Sequence, residues 1–77
     1  MRIHIQIKLF ATLLEKLPDH ADHFPVEEGT TVAALASQLC IDTKDAKLIF
    51  INGRKGTLDA TLADGDRVGL FPPVGGG

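Results

Sequence analysis

The sequence predicts an α+β fold in which a mixed sheet of four to five strands is covered on one face by one main helix. Two stretches indicate this class. Residues 2–9 alternate strictly between apolar and polar side chains, which is the period of a half-buried strand, whereas residues 29–40 (GTTVAALASQLC) carry apolar side chains at helical spacing. The chain has 77 residues, enough for one small domain. The strands and the helix are therefore expected to share a single core.

The first predicted strand, residues 2–9, has one apolar and one polar face. The apolar face carries Ile3, Ile5, Ile7 and Leu9, and the polar face carries His4, Gln6 and Lys8. Phe10 interrupts the alternation, and the following ATLLEKLP predicts a short helical turn that stops before Pro18. The polar run DHADH predicts a loop. HFPVEEG then predicts a second strand at an edge of the sheet, because Pro25 has no amide hydrogen for a central ladder.

The clearest helix signal is the stretch at residues 29–40. Thr30 or Thr31 can cap its first amides, and its alanines and leucines favour the helical state. One side of this helix is predicted to pack on the sheet, and it carries Val32, Leu35, Ala36 and Leu39.

The second half of the chain predicts the remaining strands. KLIFING is a third strand that ends at Asn52-Gly53, a pair of residues that favours a tight hairpin because both tolerate positive φ. GTLDATL predicts a short irregular strand and turn. ADGDRVGLF predicts a turn at Asp64-Gly65 and a final strand with Val68 and Leu70 facing the core.

This order of elements predicts a β-grasp, the ubiquitin-like architecture. The long crossover follows the second strand, so the first and last strands can lie side by side in the middle of the sheet. We expect residues 1–71 to form the β-grasp domain and residues 72–77 to form a flexible tail that ends in glycines.

The sheet has more apolar surface than one helix can cover. LIFI at residues 48–51 is apolar at four successive positions, and Phe71 alternates with Val68 and Leu70. We therefore predict an exposed docking patch that combines Phe71 with either Leu48 and Phe50 or Ile49 and Ile51. In the alternative arrangement, the short helix near residues 12–17 folds over this surface and buries it.

Composition excludes several classes of function. The formal charge of −2, with both signs scattered along the chain, predicts neither a nucleic-acid nor a membrane partner. The single cysteine cannot form an internal disulfide and indicates a reducing compartment, so we expect a cytoplasmic protein. We also expect it to be monomeric when free.

No catalytic constellation emerges from the side chains. Asp19, His20, Asp22 and His23 have spacings that could ligate a metal, but their low number on a loop favours a solvated segment. Cys40 is predicted to be a small buried core thiol rather than a nucleophile, since no base is suggested beside it. His4 is expected to be exposed. Arg54 and Lys55 are too few for a phosphate cradle, and GRKGT lacks the context of a nucleotide-binding loop.

The carboxyl-terminal stretch LFPPVGGG is the most unusual feature. Pro72 and Pro73 cannot donate to a strand ladder and favour an extended conformation, so the tail should project from the domain. Fully extended, the six residues 72–77 reach about 20 Å. The three glycines add no bulk, so this terminus can thread a channel one backbone wide. We expect Gly77 to be the native end, with a free carboxylate that is ionised at neutral pH.

These residues together resemble a known family. KLFATLLEKL, GTTVAALASQL, NG, LADGDRVGLFPPV and the terminal glycines, taken over the whole chain, are similar to the ubiquitin-like sulfur carriers of the MoaD/ThiS family. The phenylalanine and double proline look more like MoaD, the small subunit of molybdopterin synthase, than like the thiamine carrier ThiS. One departure is Gly75, where MoaD relatives usually carry serine, threonine or another small residue.

The resemblance implies a carrier and not an enzyme. A ubiquitin-activating-type adenylyltransferase would use ATP to convert the carboxylate of Gly77 to an acyl-adenylate, and a persulfide donor would then leave a thiocarboxylate on Gly77, with Gly76 as its diglycine partner. The chain itself would bind no metal and no cofactor. A synthase, such as the large subunit of molybdopterin synthase, would accept the sulfur. The residues expected to contact these partners are Phe10, Phe50, Phe71, Pro72, Pro73, Val74 and Gly75.

The resemblance leaves the product and the mode of action open. Molybdopterin synthesis is favoured, whereas tungsten cofactor, homocysteine and thiamine synthesis are alternatives. A ubiquitin-like modifier that is conjugated to lysines is a rival with the same fold. A plain β-grasp interaction module, whose glycines are only a ragged end, is a rival of another class.

Overall fold

Five strands form one mixed sheet in the computed structural model, which describes residues 1–73. The strands are β1 (Arg2–Leu9), β2 (Phe24–Glu27), β3 (Leu48–Ile51), β4 (Arg54–Lys55) and β5 (Arg67–Phe71). Their order across the sheet is β2-β1-β5-β3-β4. β1 and β5 are parallel neighbours in the centre, and the other pairs are antiparallel. The predicted β-grasp fold is confirmed, with five strands in its sheet.

Within the described residues, one α-helix and three 3₁₀ turns connect the strands. The helix α1 spans Val32–Gln38, and the 3₁₀ turns span Ala11–Lys16, Ala21–His23 and Thr43–Asp45. The first turn confirms the short helical segment predicted before Pro18. The second falls within the run DHADH, for which a loop was predicted, so part of that loop is ordered as a turn. Within residues 1–73, no helix is long and apolar enough to cross a membrane.

The core lies between α1 and one face of the sheet. β1 alternates as predicted, and Ile3, Ile5, Ile7 and Leu9 are all buried. The four apolar side chains predicted for the inner side of the helix are buried against this face: Val32, Leu35, Ala36 and Leu39. Val68 and Leu70 of β5 are fully buried between them. Burial of one such side chain contributes roughly 1.5–3 kcal/mol, so this layer supplies most of the stabilising free energy.

Both ends of α1 are capped by local sequence. The Thr31 hydroxyl oxygen accepts a hydrogen bond from the Ala34 amide at 3.2 Å, which confirms one of the two predicted caps. At the other end Cys40 has a left-handed conformation, with φ of 61°. The Ile41 amide donates to the Ala36 carbonyl at 2.8 Å, and the Cys40 amide donates to Ser37 at 3.0 Å. This pair of bonds is the Schellman motif, which stops the helix.

The prediction of a buried Cys40 thiol is wrong, because Cys40 is exposed. The left-handed residue that ends a helix turns the chain back toward the core, and its own side chain is left at the surface. Ile41, the next residue, takes the buried position instead, with 4% of its surface exposed.

The segment after the β3–β4 hairpin also differs from expectation. The hairpin turn at Asn52-Gly53 is confirmed, with φ of 54° and 81°. The strand that follows it is Arg54–Lys55, paired with Phe50 and Ile51, and GTLDATL at 56–62 forms no strand. This segment instead supports the start of the helix, since the Ala60 and Leu58 carbonyls accept the Val32 and Ala33 amides at 3.0 Å each.

A small polar network fixes the start of β5 against the hairpin. The Asn52 side-chain amide donates to one Asp66 carboxylate oxygen at 2.9 Å, and the Ala63 amide donates to the other at 2.8 Å. The Asn52 side-chain oxygen accepts from the Arg67 amide at 3.0 Å. The turn predicted at Asp64-Gly65 is present, with Gly65 at φ of 86°. These bonds therefore set the register in which β5 enters the sheet.

We expect Cys40→Gly to stabilise the domain by about 0.5–1 kcal/mol, because glycine adopts positive φ without the steric cost that a side chain incurs. Urea denaturation measures the difference. The matched control is Ala34→Gly, an exposed position inside α1, where glycine should cost about 1 kcal/mol. A loss of stability in Cys40→Gly similar to that of the control would contradict this account of the helix end.

Candidate functional site

The face of the sheet opposite α1 carries three phenylalanine side chains at one end. They are Phe10, Phe50 and Phe71, and we call them the aromatic patch. The register decides which residues of β3 join it: Leu48 pairs with Phe71 and Phe50 with Gly69, whereas Ile49 pairs with the buried Leu70. Of the two predicted pairs, Leu48 and Phe50 therefore lie on the outer face. Ile49 is buried, and Ile51 packs against the core.

The three rings form one contiguous cluster. Phe10 and Phe71 are stacked, with ring centroids 4.0 Å apart and planes 3° from parallel. Phe50 meets Phe71 edge to face, with centroids 5.6 Å apart. Such pairs contribute about 0.5–1.5 kcal/mol beyond the area that they bury. The cluster is thus a fixed surface, although Phe10 remains 38% exposed.

Gly69 lies under the rings, in the middle of β5. A β-carbon built at Gly69 would lie 3.6 Å from the Phe10 ring and 4.0 Å from both Phe50 and Phe71. These distances are ordinary van der Waals contacts, so a methyl group would fit beneath the rings. A side chain longer than that of alanine would meet the rings, so the small residue at position 69 leaves room for them close to the sheet.

A shallow apolar depression surrounds the aromatic patch. Its volume is about 400 Å³, and its lining is Lys8, Phe10, Phe50, Gly53, Arg67, Val68, Gly69 and Phe71. The walls are almost wholly apolar, and the aliphatic stems of the two cations complete the rim. A wide, shallow and apolar surface of this kind is suited to a protein partner.

The alternative in which the short helix covers this surface does not occur. The 3₁₀ turn Ala11–Lys16 inserts Leu13 into the core on the other side of the sheet, where it is 6% exposed. Leu14 and Leu17 remain exposed, at 56% and 41%. The turn therefore adds to the core and leaves the aromatic patch open.

The aromatic patch stands where the chain leaves the sheet. The last backbone bond of this region joins the Lys47 amide to the Phe71 carbonyl at 2.9 Å. Pro72 is then half-buried and Pro73 is exposed. The other residues predicted to act in the tail, Val74, Gly75, Gly76 and Gly77, lie outside the described residues.

The remaining candidates do not form a site. Residues 1–73 contain no group of three or more histidine, cysteine, aspartate or glutamate residues that could hold a metal ion. His23 instead stacks on His4, with ring centroids 4.0 Å apart and planes 5° from parallel. His4 is therefore half-buried, and the expectation that it is simply exposed is wrong. Arg54 and Lys55 are exposed on the two-residue strand β4.

Sequence reasoning missed three residues of the site. Lys8 and Arg67 line the depression, and Gly69 forms its floor. Strand parity contained the signal for all three, since position 8 shares a face with His4 and positions 67 and 69 share a face with Phe71. This parity could locate the three residues beside the phenylalanines only once the pairing register of the strands was known.

The fold and the aromatic patch define a class, which is the ubiquitin-like β-grasp protein. Comparison with known proteins gives the family, since the family model described as "ThiS family" matches residues 7–77. The chain belongs to the ThiS family of ubiquitin-like sulfur carriers and modifiers, and it is not an enzyme. Among curated proteins, none matches the sequence significantly.

Three solved structures illustrate the similarity. The HVO 2177 protein of Haloferax volcanii is 26% identical over 99% of this chain and 88% of its own, with a TM-score of 0.77. Small archaeal modifier protein 1 of H. volcanii is also 26% identical, over 94% of this chain and 99% of its own, with a TM-score of 0.69. A putative molybdopterin converting factor, subunit 1, from Pyrococcus furiosus is 30% identical over the same shares, with a TM-score of 0.60.

We expect Phe10 and Phe71 to stabilise the fold as a coupled pair. In a double-mutant cycle with Phe10→Ala and Phe71→Ala, the coupling free energy of unfolding should be about 0.5–1.5 kcal/mol, because the rings are stacked in direct contact. Urea denaturation of the four proteins measures it. The cycle of Leu14→Ala with Phe71→Ala is the control and should give less than about 0.5 kcal/mol. Additive effects of the two phenylalanine substitutions would refute the coupling.

Proposed function

We propose that the chain carries sulfur as a thiocarboxylate on its carboxyl-terminal glycine, Gly77, and donates it in cofactor synthesis. Membership of the ThiS family supports the carrier role. The similarity to the P. furiosus converting factor subunit and the Phe71-Pro72-Pro73 sequence favour molybdopterin as the product. Thiamine, tungsten cofactor and homocysteine synthesis are the alternative destinations.

The observation that carries this proposal is the position of Phe71. This residue is both the last residue of β5 and a member of the aromatic patch. A partner that binds the aromatic patch therefore lies beside the point where the tail, residues 72–77, begins. The six residues 72–77 extend at most about 20 Å from that point, so docking would confine the terminal carboxylate to a small volume around the partner's active site.

Activation makes the carboxylate of Gly77 reactive. A carboxylate is a poor electrophile, so one of its oxygens first attacks the α-phosphorus of ATP. The bond from that phosphorus to the bridging oxygen of the β-phosphate breaks, pyrophosphate leaves, and an acyl-adenylate remains. An adenylyltransferase of the ubiquitin-activating type would catalyse this step, so that ATP is bound by the partner and no cofactor is bound by the carrier.

Sulfur transfer follows on the same carbon. The terminal sulfur of a persulfide attacks the carbonyl carbon of Gly77, and AMP leaves with the electron pair of the broken carbon–oxygen bond. A second thiol then attacks the sulfur–sulfur bond and forms a disulfide with the donor, which leaves the thiocarboxylate on the carrier. Side chains on the last two residues would obstruct entry of the terminus into a narrow active-site channel of the partner, and Gly76 and Gly77 have none.

A second partner would consume the thiocarboxylate. The P. furiosus relative is described as subunit 1 of a putative converting factor, a name that implies a further subunit. We infer that a sulfur-accepting synthase docks on the same aromatic patch as the activating enzyme, with contacts to Phe10, Phe50 and Phe71 and to the tail residues Pro72, Pro73, Val74 and Gly75. One surface would then serve both partners in turn.

Deletion of Gly77 should abolish sulfur loading and leave the fold intact, because the activated carbon would then be placed one residue short. The measurement is the intact mass of the protein after incubation with its adenylyltransferase, ATP and a sulfur donor. A thiocarboxylate adds about 16 Da through the exchange of oxygen for sulfur at the terminal carboxylate.

The control for this deletion is Gly75→Ser, which keeps the tail length and the final two glycines. This variant should load sulfur as the parent does. Sulfur loading of the protein that lacks Gly77 would overturn the assignment, and circular dichroism of each variant verifies that the domain remains folded.

The second candidate is a modifier that forms isopeptide bonds with lysines of other proteins. The similarity to small archaeal modifier protein 1 favours it. It uses the same acyl-adenylate but a different acceptor. Mass spectrometry of protein from its native cell separates the candidates, since a modifier yields branched peptides that contain the tail, a carrier yields the thiocarboxylate, and an inert module yields neither.

A further inference from the structure

The charges around the aromatic patch are distributed unevenly. The chain has ten acidic and eight basic residues, and its net charge is −2. Only one of the acidic residues, Glu27, occupies an outward position on the strands of the sheet. Four of the basic residues do so: Arg2, Lys8, Lys55 and Arg67. The outward strand positions around the aromatic patch are thus cationic in a protein that is acidic overall, whereas Asp22 and Asp64 lie toward the other end of this face, beside His4 and Gln6.

Three of these cations frame the aromatic patch. Lys8, Gly69, Phe50 and Lys55 form one row across four adjacent strands, since Lys8 pairs with Gly69, Gly69 with Phe50, and Phe50 with Lys55. Arg67 lies two residues before Gly69 on β5. At about 4.8 Å per strand and 3.3 Å per residue, the backbones of all three cations lie within about 10 Å of Gly69.

These three cations have no carboxylate partner within residues 1–73. The two ion pairs of that region join Arg2 to Glu27 at 3.7 Å and Lys44 to Asp42 at 3.9 Å. The sole outward carboxylate of the sheet is therefore engaged by Arg2, at the edge remote from the aromatic patch. Lys8, Lys55 and Arg67 are exposed, so their charged groups are open to a partner. Asp66, which precedes Arg67, is engaged by the Asn52 side chain and the Ala63 amide.

We propose that the partner's docking surface is an apolar centre ringed by carboxylates, which face Lys8, Lys55 and Arg67. This inference rests on the proposed function, because it specifies the partner that docks on the aromatic patch. The separation of the cations is comparable to the Debye length of about 8–10 Å, so their fields add at the patch. They would steer an acidic surface during encounter and disfavour a basic one, while the rings supply the contact area.

The test uses the adenylyltransferase encoded in the same genome, with affinity measured by calorimetry and activity by ATP–pyrophosphate exchange. Lys8→Glu and Lys55→Glu should each raise the Kd about three- to tenfold, since an attraction becomes a repulsion. The carrier concentration that gives half-maximal exchange should rise in parallel with the Kd, because the substitutions act on docking. Raising the salt concentration from about 0.05 to 0.5 M should weaken binding of the parent and affect the double variant much less.

The matched control is Lys44→Glu, which makes the same change of charge on the 3₁₀ turn Thr43–Asp45, beside α1. It should change the Kd less than twofold. The inference would be overturned if Lys44→Glu and Lys55→Glu had equal effects on the Kd. It would also be overturned if Lys8→Glu and Lys55→Glu left the Kd unchanged or lowered it. In those cases the parent still supports exchange and the proposed function survives. Absence of exchange with the parent would instead overturn both.

Discussion

The parallel pairing of β1 with β5 is the constraint on which the rest of the structure depends. It brings together Ile7 with Val68 and Leu9 with Leu70, two pairs of core residues in which Val68 and Leu70 are fully buried. Because side chains alternate along a strand, the residues that follow Leu9 and Leu70 must emerge on the opposite face. Those residues are Phe10 and Phe71, and their stacking is a direct result of the register.

The same pairing divides the sheet into two faces with different roles. The core face is covered by the seven residues of α1 and stabilised by aliphatic burial. Within residues 1–73 no α-helix crosses the outer face, although the 3₁₀ turn Ala21–His23 packs on it at His4. Ring-to-ring contact above Gly69 holds the phenylalanines together. An exposed apolar surface is costly in water unless a partner covers it. Under the proposed function, docking of the partners covers this surface.

Much of the fold could be predicted from local patterns, because those patterns express the periods of strand and helix. The alternation of residues 2–9, the inner face of α1 and the Asn52-Gly53 turn all follow from short-range rules. LIFI at 48–51 could not be assigned to a face, because four apolar residues carry no alternation, and only pairing with β5 decides it. The stack of His4 on His23 depends on how β2 approaches β1, which no local pattern encodes.

Cys40 shows where local rules mislead. A helix end with positive φ usually carries glycine or asparagine, so a cysteine at that position gives no sign that the helix stops there. The aromatic patch was half predictable, since Phe71 follows from parity and Phe10 from the break in the β1 pattern. Lys8, Lys55 and Arg67 were overlooked because they become neighbours only when four strands pair in the observed register. The tail residues 74–77 keep their roles as proposals from the sequence and the family.

Pro25 has a further consequence for how the molecule behaves in a crowded solution. The Glu28 amide bonds to the Met1 carbonyl, so by alternation the nitrogen of Pro25 points to the open side of β2, where it has no hydrogen to offer. At the opposite rim, β4 is only two residues long. Within residues 1–73, neither rim offers a second copy a long ladder to extend, which disfavours fibre-like polymerisation. The partly exposed phenylalanine rings are thus not accompanied by a free sheet edge through which copies could pair their backbones.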